Sequence, residues 1–296
     1  MRYWELTVAV PDEASEGLTN FVWELGALGV VEDERPGERP RLRAFFPDAH
    51  DTDTLPARVQ QYLDGLRALG FAGGGGPRLA PIADEDWAEA WRAHFAPMEV
   101  GRSLLVTPPW QQPAPNGRAV ITIEPGRAFG TGQHGSTSGC LRLVEDIVER
   151  DRPPRALDIG TGSGILAIAA VKLGVASAIA IDSDPDAVAA AAGNAARNGM
   201  AERVSARVAD VETFTTEPAP LVLANLLAAA HRRLGARYRT YLEAGGALVL
   251  GGILDAERDG VVATLAGHGL RAGRALSVEG WTSLELRHDA PVHDRP

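Results

Sequence analysis

Residues 157–170 read LDIGTGSGILAIAA, with Gly160, Gly162 and Gly164 at alternate positions between an apolar run of strand length and an apolar helical run. Glycines so placed let the backbone turn tightly and approach a ligand that side chains would hold off. The next apolar stretch, 177–181, ends on Asp182, an acid at the carboxyl edge of a parallel sheet, where it can accept hydrogen bonds from a ribose diol. Together these outline an adenosine site, although a glycine turn by itself also serves purely structural ends. The spacing is G-x-G-x-G rather than the G-x-G-x-x-G of dinucleotide enzymes, whose helix N-terminus faces a pyrophosphate. A dehydrogenase reading fails on that spacing.

Further candidates stand in one loop and at strand ends. Residues 124–137, EPGRAFGTGQHGST, gather glycines, hydroxyls, Phe129 and His134 ahead of a helix predicted over about 138–150. The backbone near Phe129 and Gly130 can wrap a ligand. Thr137 sits where an N-cap is expected, a role compatible with a hydroxyl facing a cofactor. His134 reads either as a hydrogen-bonding strut or as a proton carrier. Asp210 follows a predicted strand over 204–208 and can meet an adenine. Asn225 closes a predicted strand over 221–224, above the crevice where ligands bind in open α/β sheets; the competing reading makes it the cap of a helix from Leu226 onward.

The elements that must hold these residues follow from periodicity. From Pro153 onward strands and helices alternate, as in a doubly wound parallel sheet: strands over 156–159, 177–181, 204–208, 221–224 and 247–250, helices from Ile165, from Pro185 to Asn198-Gly199 and over 255–266, and final strands over 270–277 and 281–287. Upstream, strand-like stretches cover 98–108 and 118–123. Residues 2–10, 11–28, 29–34, 41–46, 52–69 and 78–82 read β-α-β-β-α-β, a ferredoxin-like α+β unit. Between the two parts, Asp84-Glu85-Asp86 opens a short helix in which Trp87, Trp91 and Phe95 recur every fourth residue. The expected organisation is therefore a domain over 1–82, a linker helix over 83–97 and a second domain over 98–296.

Composition narrows the chemistry. The single cysteine, Cys140, excludes an intramolecular disulfide, and with no apolar leader and no membrane-length run the chain is expected in the cytoplasm. No C-x-x-C or H-E-x-x-H motif is present and the seven histidines are scattered, so no metal is expected. Lysine occurs once, at Lys172, which leaves little room for lysine-based catalysis. The net charge of −10 is uneven: residues 1–82 hold 13 Asp/Glu against 8 Arg, whereas 98–296 hold 22 against 20 Lys/Arg. An acidic first third disfavours a nucleic-acid backbone as partner and suits a basic one; it also serves as a solubilising surface.

The string LDIGTGSGILAIAA followed by AIDSDP resembles the cofactor motifs of class I S-adenosylmethionine-dependent methyltransferases, whose sulfonium cofactor carries no phosphate. Within that superfamily, the segments EDWAEAWRAHFAPMEVGRSLLVTPPW, IEPGRAFGTGQHGSTS, LVLANLLA and GGILDAERDGV are similar to the PrmA family, methyltransferases of protein eleven of the large ribosomal subunit. The resemblance spans about residue 84 to the C-terminus. It implies a Rossmann-like doubly wound methyltransferase sheet with antiparallel C-terminal strands behind the small N-terminal domain. It also implies cofactor contacts at Thr137, Gly160, Asp182 and Asn225; on the reading of the residues themselves, Phe129, Gly130, Gly162 and Asp210 are expected beside them. The family methylates lysine side chains and the N-terminal amine, its N-terminal domain gripping the ribosomal protein, and Asn225 and His134 are the residues expected at the amine. A monomer with no membrane or direct nucleic-acid partner is expected. Ala219-Pro220 stands where methyltransferases often carry an Asp, which weakens any mechanism needing a carboxylate there. The competing readings are an RNA or small-molecule methyltransferase, for which a basic stripe is missing, and a non-catalytic module retaining the cofactor fold.

Overall fold

The computed structural model describes residues 3–9, 17–19, 21–23, 25–27, 29–33, 41–47, 54–68, 75–82, 95–125, 130 and 134–288. The chain divides into two compact units, Met1–Phe95 and Ala96–Pro296, a boundary that falls inside the expected linker. That linker's tryptophan helix, with Trp87 and Trp91, lies outside the described residues, as does Phe129.

The first unit contains β1 (Tyr3–Ala9), β2 (Gly29–Asp33), β3 (Arg41–Pro47), α1 (Leu55–Ala68) and β4 (Arg78–Ile82). Helical turns at 17–19 and 21–23 lie on the stretch expected as the first helix. The strands form an antiparallel sheet in the order β2-β3-β1-β4, the order of a ferredoxin-like unit. Alternate residues of the two central strands, Leu6 and Val8, Leu42 and Ala44, point into one apolar core. Leu55, Val59 and Leu63 meet it from α1, spaced four apart and so on one helical face.

The second unit opens with β5 (Met98–Val100), β6 (Leu104–Thr107) and β7 (Ala119–Thr122), a separate three-stranded sheet. The stretch 98–108, expected as one strand, is two. Gly101 takes a positive φ of 58°, and the buried Glu145 carboxylate accepts the N–H groups of Arg102 at 2.9 Å and Ser103 at 2.6 Å, which folds the chain back on itself.

Then follow α2 (Gly135–Asp151), β8 (Arg155–Ile159), α3 (Ile165–Leu173), β9 (Ser177–Asp182), α4 (Pro185–Arg197), β10 (Val204–Val208), β11 (Ala219–Asn225), α5 (Ala228–Tyr241), β12 (Leu242–Leu254), α6 (Arg258–Ala266), β13 (Leu270–Val278) and β14 (Trp281–His288). Seven strands run in the order β10-β9-β8-β11-β12-β14-β13. The first five are parallel, and β14 enters antiparallel to both β12 and β13. Both faces are covered. Leu221 and Leu223 of β11 join the core that holds α2 and α3, while Val222 and Ala224 join the core that holds α5. A parallel strand buried on both sides reads as continuous apolar sequence, which is why 221–224 was legible as a strand without any alternation.

Candidate functional site

The strand order reverses beside β8. The chain runs outward through β9 and β10, then crosses back so that β11 lies on the other side of β8, and a crevice opens at the carboxyl ends of strands that diverge in this way. Register fixes what lines it. Ile159 of β8 pairs with Ile181 on one side and Ala224 on the other, so the next residues, Asp182, Gly160 and Asn225, stand level. The row extends outward to Val208, paired with Asp182, and to Gly251, paired with Asn225.

In the turn after β8, Gly160, Gly162 and Gly164 take φ of 65°, 53° and 82°, a left-handed region costly for other residues. A Cβ on Gly160 would collide with the Leu226 side chain. Asp182 braces this turn: its Oδ2 accepts the Gly162 N–H at 3.0 Å and its Oδ1 the Asp184 N–H at 3.1 Å. Each oxygen keeps a second lone pair for a ligand hydroxyl. Asp210 is exposed two residues beyond β10, its Oδ1 accepting the Glu212 N–H at 2.9 Å, and the neighbouring Ala209 N–H donates to the Asp182 carbonyl.

Asn225 does not cap a helix. The cap of α5 is Leu227, with no side-chain hydrogen bond, and the Asn225 amide instead donates from Nδ2 to Thr137 Oγ1 at 3.2 Å. Its Oδ1 is buried and meets no donor among the described residues, an acceptor whose desolvation they leave uncompensated. Thr137 is likewise not the cap expected of it. The helix begins at Gly135, three residues early, and its N-cap is His134. His134 Nδ1 accepts the Ser136 N–H at 3.3 Å and lies 2.8 Å from Ser136 Oγ, while the ring packs on Trp281 with centroids 4.7 Å apart. A nitrogen accepting an N–H is unprotonated, so in the neutral ring the proton resides on Nε2. Thr137 thus sits inside the first turn, fully buried, with its hydroxyl committed to Asn225.

Four residues to which sequence reasoning gave no part in the site, Asn198 among them as no more than a helix end, hold this arrangement. Ser163 Oγ donates to the Gly130 carbonyl at 2.6 Å, tying the loop to the glycine turn; that carbonyl, expected to face a ligand, is engaged here. Asn194 of α4 donates to the Ser163 carbonyl at 2.9 Å and accepts the Glu124 N–H at 3.0 Å. One turn later Asn198 pairs with both the N–H and the carbonyl of Thr122. The i, i+4 spacing of two asparagines in an alanine-rich helix was the available signal. Asp158, 1% exposed within β8, accepts Thr161 Oγ1 at 2.6 Å and the Ala167 N–H at 3.2 Å. Burial pushes its carboxyl up from 3.8 to about 6, those hydrogen bonds opposing the shift and the Asp182 charge adding to it. Burial also pushes the Cys140 thiol up to about 12, which removes it as a nucleophile. Among the described residues no group of three or more His, Cys, Asp or Glu can hold a metal ion, and no helix is long and apolar enough to cross a membrane.

A doubly wound sheet closed by an antiparallel pair, with a glycine turn after its central strand and an acid at the end of the next, defines a Rossmann-like methyltransferase. A family model described as Ribosomal protein L11 methyltransferase (PrmA) matches residues 2–289. The chain is 39% identical over 305 residues to a Ribosomal protein L11 methyltransferase of Geobacter sulfurreducens, which covers 96% of this chain and 98% of that protein. It is 34% identical over 303 residues to the one of Symbiobacterium thermophilum, with the same coverage of 96% and 98%. A crystal structure of ribosomal protein L11 methylase from Lactobacillus delbrueckii subsp. bulgaricus is similar with a TM-score of 0.61 at 28% identity, over 66% of this chain and 100% of that one. The chain belongs to the ribosomal protein L11 methyltransferase (PrmA) family.

Proposed function

We propose that the chain transfers methyl groups from S-adenosylmethionine to lysine side-chain and N-terminal α-amines of ribosomal protein L11, and that Asn225 orients the amine. One observation carries the assignment of the site: the unpaired, buried Oδ1 of Asn225 stands level with the glycine turn and Asp182. The residues fit the cofactor. The turn at Gly160 and Gly162 admits a ligand to the backbone, Asp182 would take the ribose hydroxyls and Asp210 the adenine, and Thr137 in the first turn of α2 would complete the site together with Gly130 and, by assignment from sequence, Phe129. When bound, S-adenosylmethionine supplies a methyl already activated by its sulfonium.

The protein's task is then to present a neutral amine in line and to exclude water. At pH 7 about one lysine amine in 2,500 is neutral, against roughly one α-amine in ten, so the site must desolvate the lysine to lower its pKa. Asn225 Oδ1 can accept one amine N–H and so direct the nitrogen lone pair. The N-cap role of His134 supports an orienting part for it, since the ring nitrogen that would take a proton already accepts the Ser136 N–H. Proton loss to water suits a strand that opens on Ala219-Pro220 without a carboxylate. Residues 1–82 are assigned to substrate recognition on their acidic balance, and the protein is assigned to the cytoplasm as a monomer without a nucleic-acid partner.

The test is calorimetric and enzymatic together. Asp182→Ala should weaken S-adenosylmethionine binding about ten- to hundredfold, the loss of charged-acceptor hydrogen bonds of roughly 1.5–3 kcal/mol. Intact-mass spectrometry should find methyl groups added to the ribosomal protein by the wild type. Unchanged affinity in the variant, or transfer to RNA and not to the ribosomal protein, would refute the assignment.

A further inference from the structure

His231 lies in the first turn of α5, fully buried, and no step proposed above uses it. Its Nε2 is 2.7 Å from the Gly251 carbonyl and its Nδ1 2.8 Å from the hydroxyl of Tyr238, two turns along the same helix and also fully buried. A carbonyl only accepts, so Nε2 carries the proton and Nδ1 accepts from Tyr238. Burial holds the ring neutral, lowering its pKa to about 4, which keeps this single tautomer through the range in which the protein works.

The carbonyl that His231 grips belongs to an irregular stretch. Gly251 and Gly252 interrupt the pairing of β12 with β14 between Leu250 and Ile253, and Gly252 has a φ of 73°. The same Gly251 carbonyl receives the Leu226 N–H at 3.2 Å. A Cβ on Gly251 would stand 2.7 Å from Asn225 Oδ1 and one on Gly252 3.2 Å from it, so this bare backbone is the wall behind the Asn225 oxygen. Among the described residues, the Asn225 side chain is held on its other side through Nδ2, by Thr137. The wall's position therefore sets where the unpaired oxygen points.

We infer that His231, oriented by Tyr238, is a positioning residue for methyl transfer, acting through the Gly251–Gly252 backbone on the Asn225 amide. The inference rests on the reading of Asn225 proposed above. A histidine that merely stabilised α5 would change the folded fraction and leave the geometry at Asn225 alone. The two roles separate in a double-mutant cycle of single-turnover transfer to ribosomal protein L11, with the full-length chain and saturating S-adenosylmethionine.

Asn225→Ala should slow transfer tenfold or more, and His231→Leu about fivefold to twentyfold with KM for both substrates within about twofold. His231→Gln, which returns an N–H to the Gly251 carbonyl, should recover most of the rate. The double variant should be no slower than Asn225→Ala alone, because both changes remove one interaction. Wild-type rates in His231→Leu, or losses that multiply in the double variant, overturn the inference while leaving Asn225 in place. A wild-type rate in Asn225→Ala removes the reading of Asn225, and the inference with it. Should His231→Leu not fold, Tyr238→Phe, which deletes one oxygen and keeps the packing, is held to the same outcomes.

Discussion

At His134 a hydrogen bond decides between two chemistries. A proton acceptor and a helix cap both need a bare ring nitrogen, and here Nδ1 serves the cap. Asparagine is a good N-cap and alanine is not, the difference being worth roughly 0.5–2 kcal/mol. His134→Asn should therefore transfer methyl within about threefold of wild type, and His134→Ala should be slower because the loop anchor loosens. Equal loss of several orders of magnitude in both variants, measured under single turnover, would make the imidazole itself the base. Asp158 and His231 form a second pair of opposites at this scale. Asp158 is raised to about 6, so its protonated form contributes stability that is present below pH 4 and lost as pH rises through 6. His231 is lowered to about 4, so its contribution is present above pH 6.5 and lost as pH falls toward 4. Each amounts to about 3 kcal/mol at 1.36 kcal/mol per unit, and over the shared window they cancel. Asp158→Asn should expose the histidine: between pH 7 and pH 4 it should lose about 3 kcal/mol more than wild type in urea unfolding. Parallel losses would show that Asp158 is already ionised at low pH in the folded protein.

Three described residues of the stretch before α2 are anchored, two of them through the glycine turn. Glu124 is held by Asn194, Gly130 by Ser163, and His134 begins the helix that follows. Asn194 is the shared member, since its amide serves the loop with one end and the turn with the other. Asn194→Leu conserves volume but strands the buried Ser163 carbonyl, at roughly 1–3 kcal/mol, and the partly buried Glu124 N–H, at less, so a destabilisation of about 1–4 kcal/mol is expected in urea unfolding. S-adenosylmethionine affinity should fall as well, because the turn loses its tie. A variant within about 0.5 kcal/mol of wild type would mean that water replaces the amide at both ends. Most of these elements were legible along the chain: β4 and β10 carry the expected bounds, and Pro185 and Asn198 bracket α4 as their cap chemistry requires. The start of α2 was not. A histidine cap three residues upstream of the threonine is a weak signal in sequence, and it wins here because Ser136 supplies both partners for the ring nitrogen.

Across the whole molecule, each unit has its own apolar core, and the charge is divided unequally between them. Removal of residues 1–95 should leave S-adenosylmethionine affinity within about twofold while transfer to the ribosomal protein falls by two orders of magnitude or more. Without its anchor the substrate loses the effective concentration of its amines at the methyl donor. Salt should mimic this in part, since attraction between an acidic unit and a basic partner is screened over a Debye length of about 8 Å at physiological ionic strength. A truncated chain that binds the cofactor and methylates the intact ribosomal protein at the full rate would assign recognition to residues 96–296.

Local rules reach as far as groups that act alone. The glycine turn, the acid at the end of β9 and the asparagine at the end of β11 were readable because each depends on its own φ or on its place at a strand end. Their alignment into one row is a matter of register between strands 65 residues apart or less in no fixed relation of sequence, set by which faces of β8, β9 and β11 bury their side chains. The same holds for partners. Whether Asn225 caps a helix or reaches Thr137, 88 positions away, depends on where α2 packs. Whether Asp158 ionises near 4 or near 6 depends on the apolar layer over it. Hydrogen-bond partners and desolvation come from residues distant along the chain, and only folding brings them within reach.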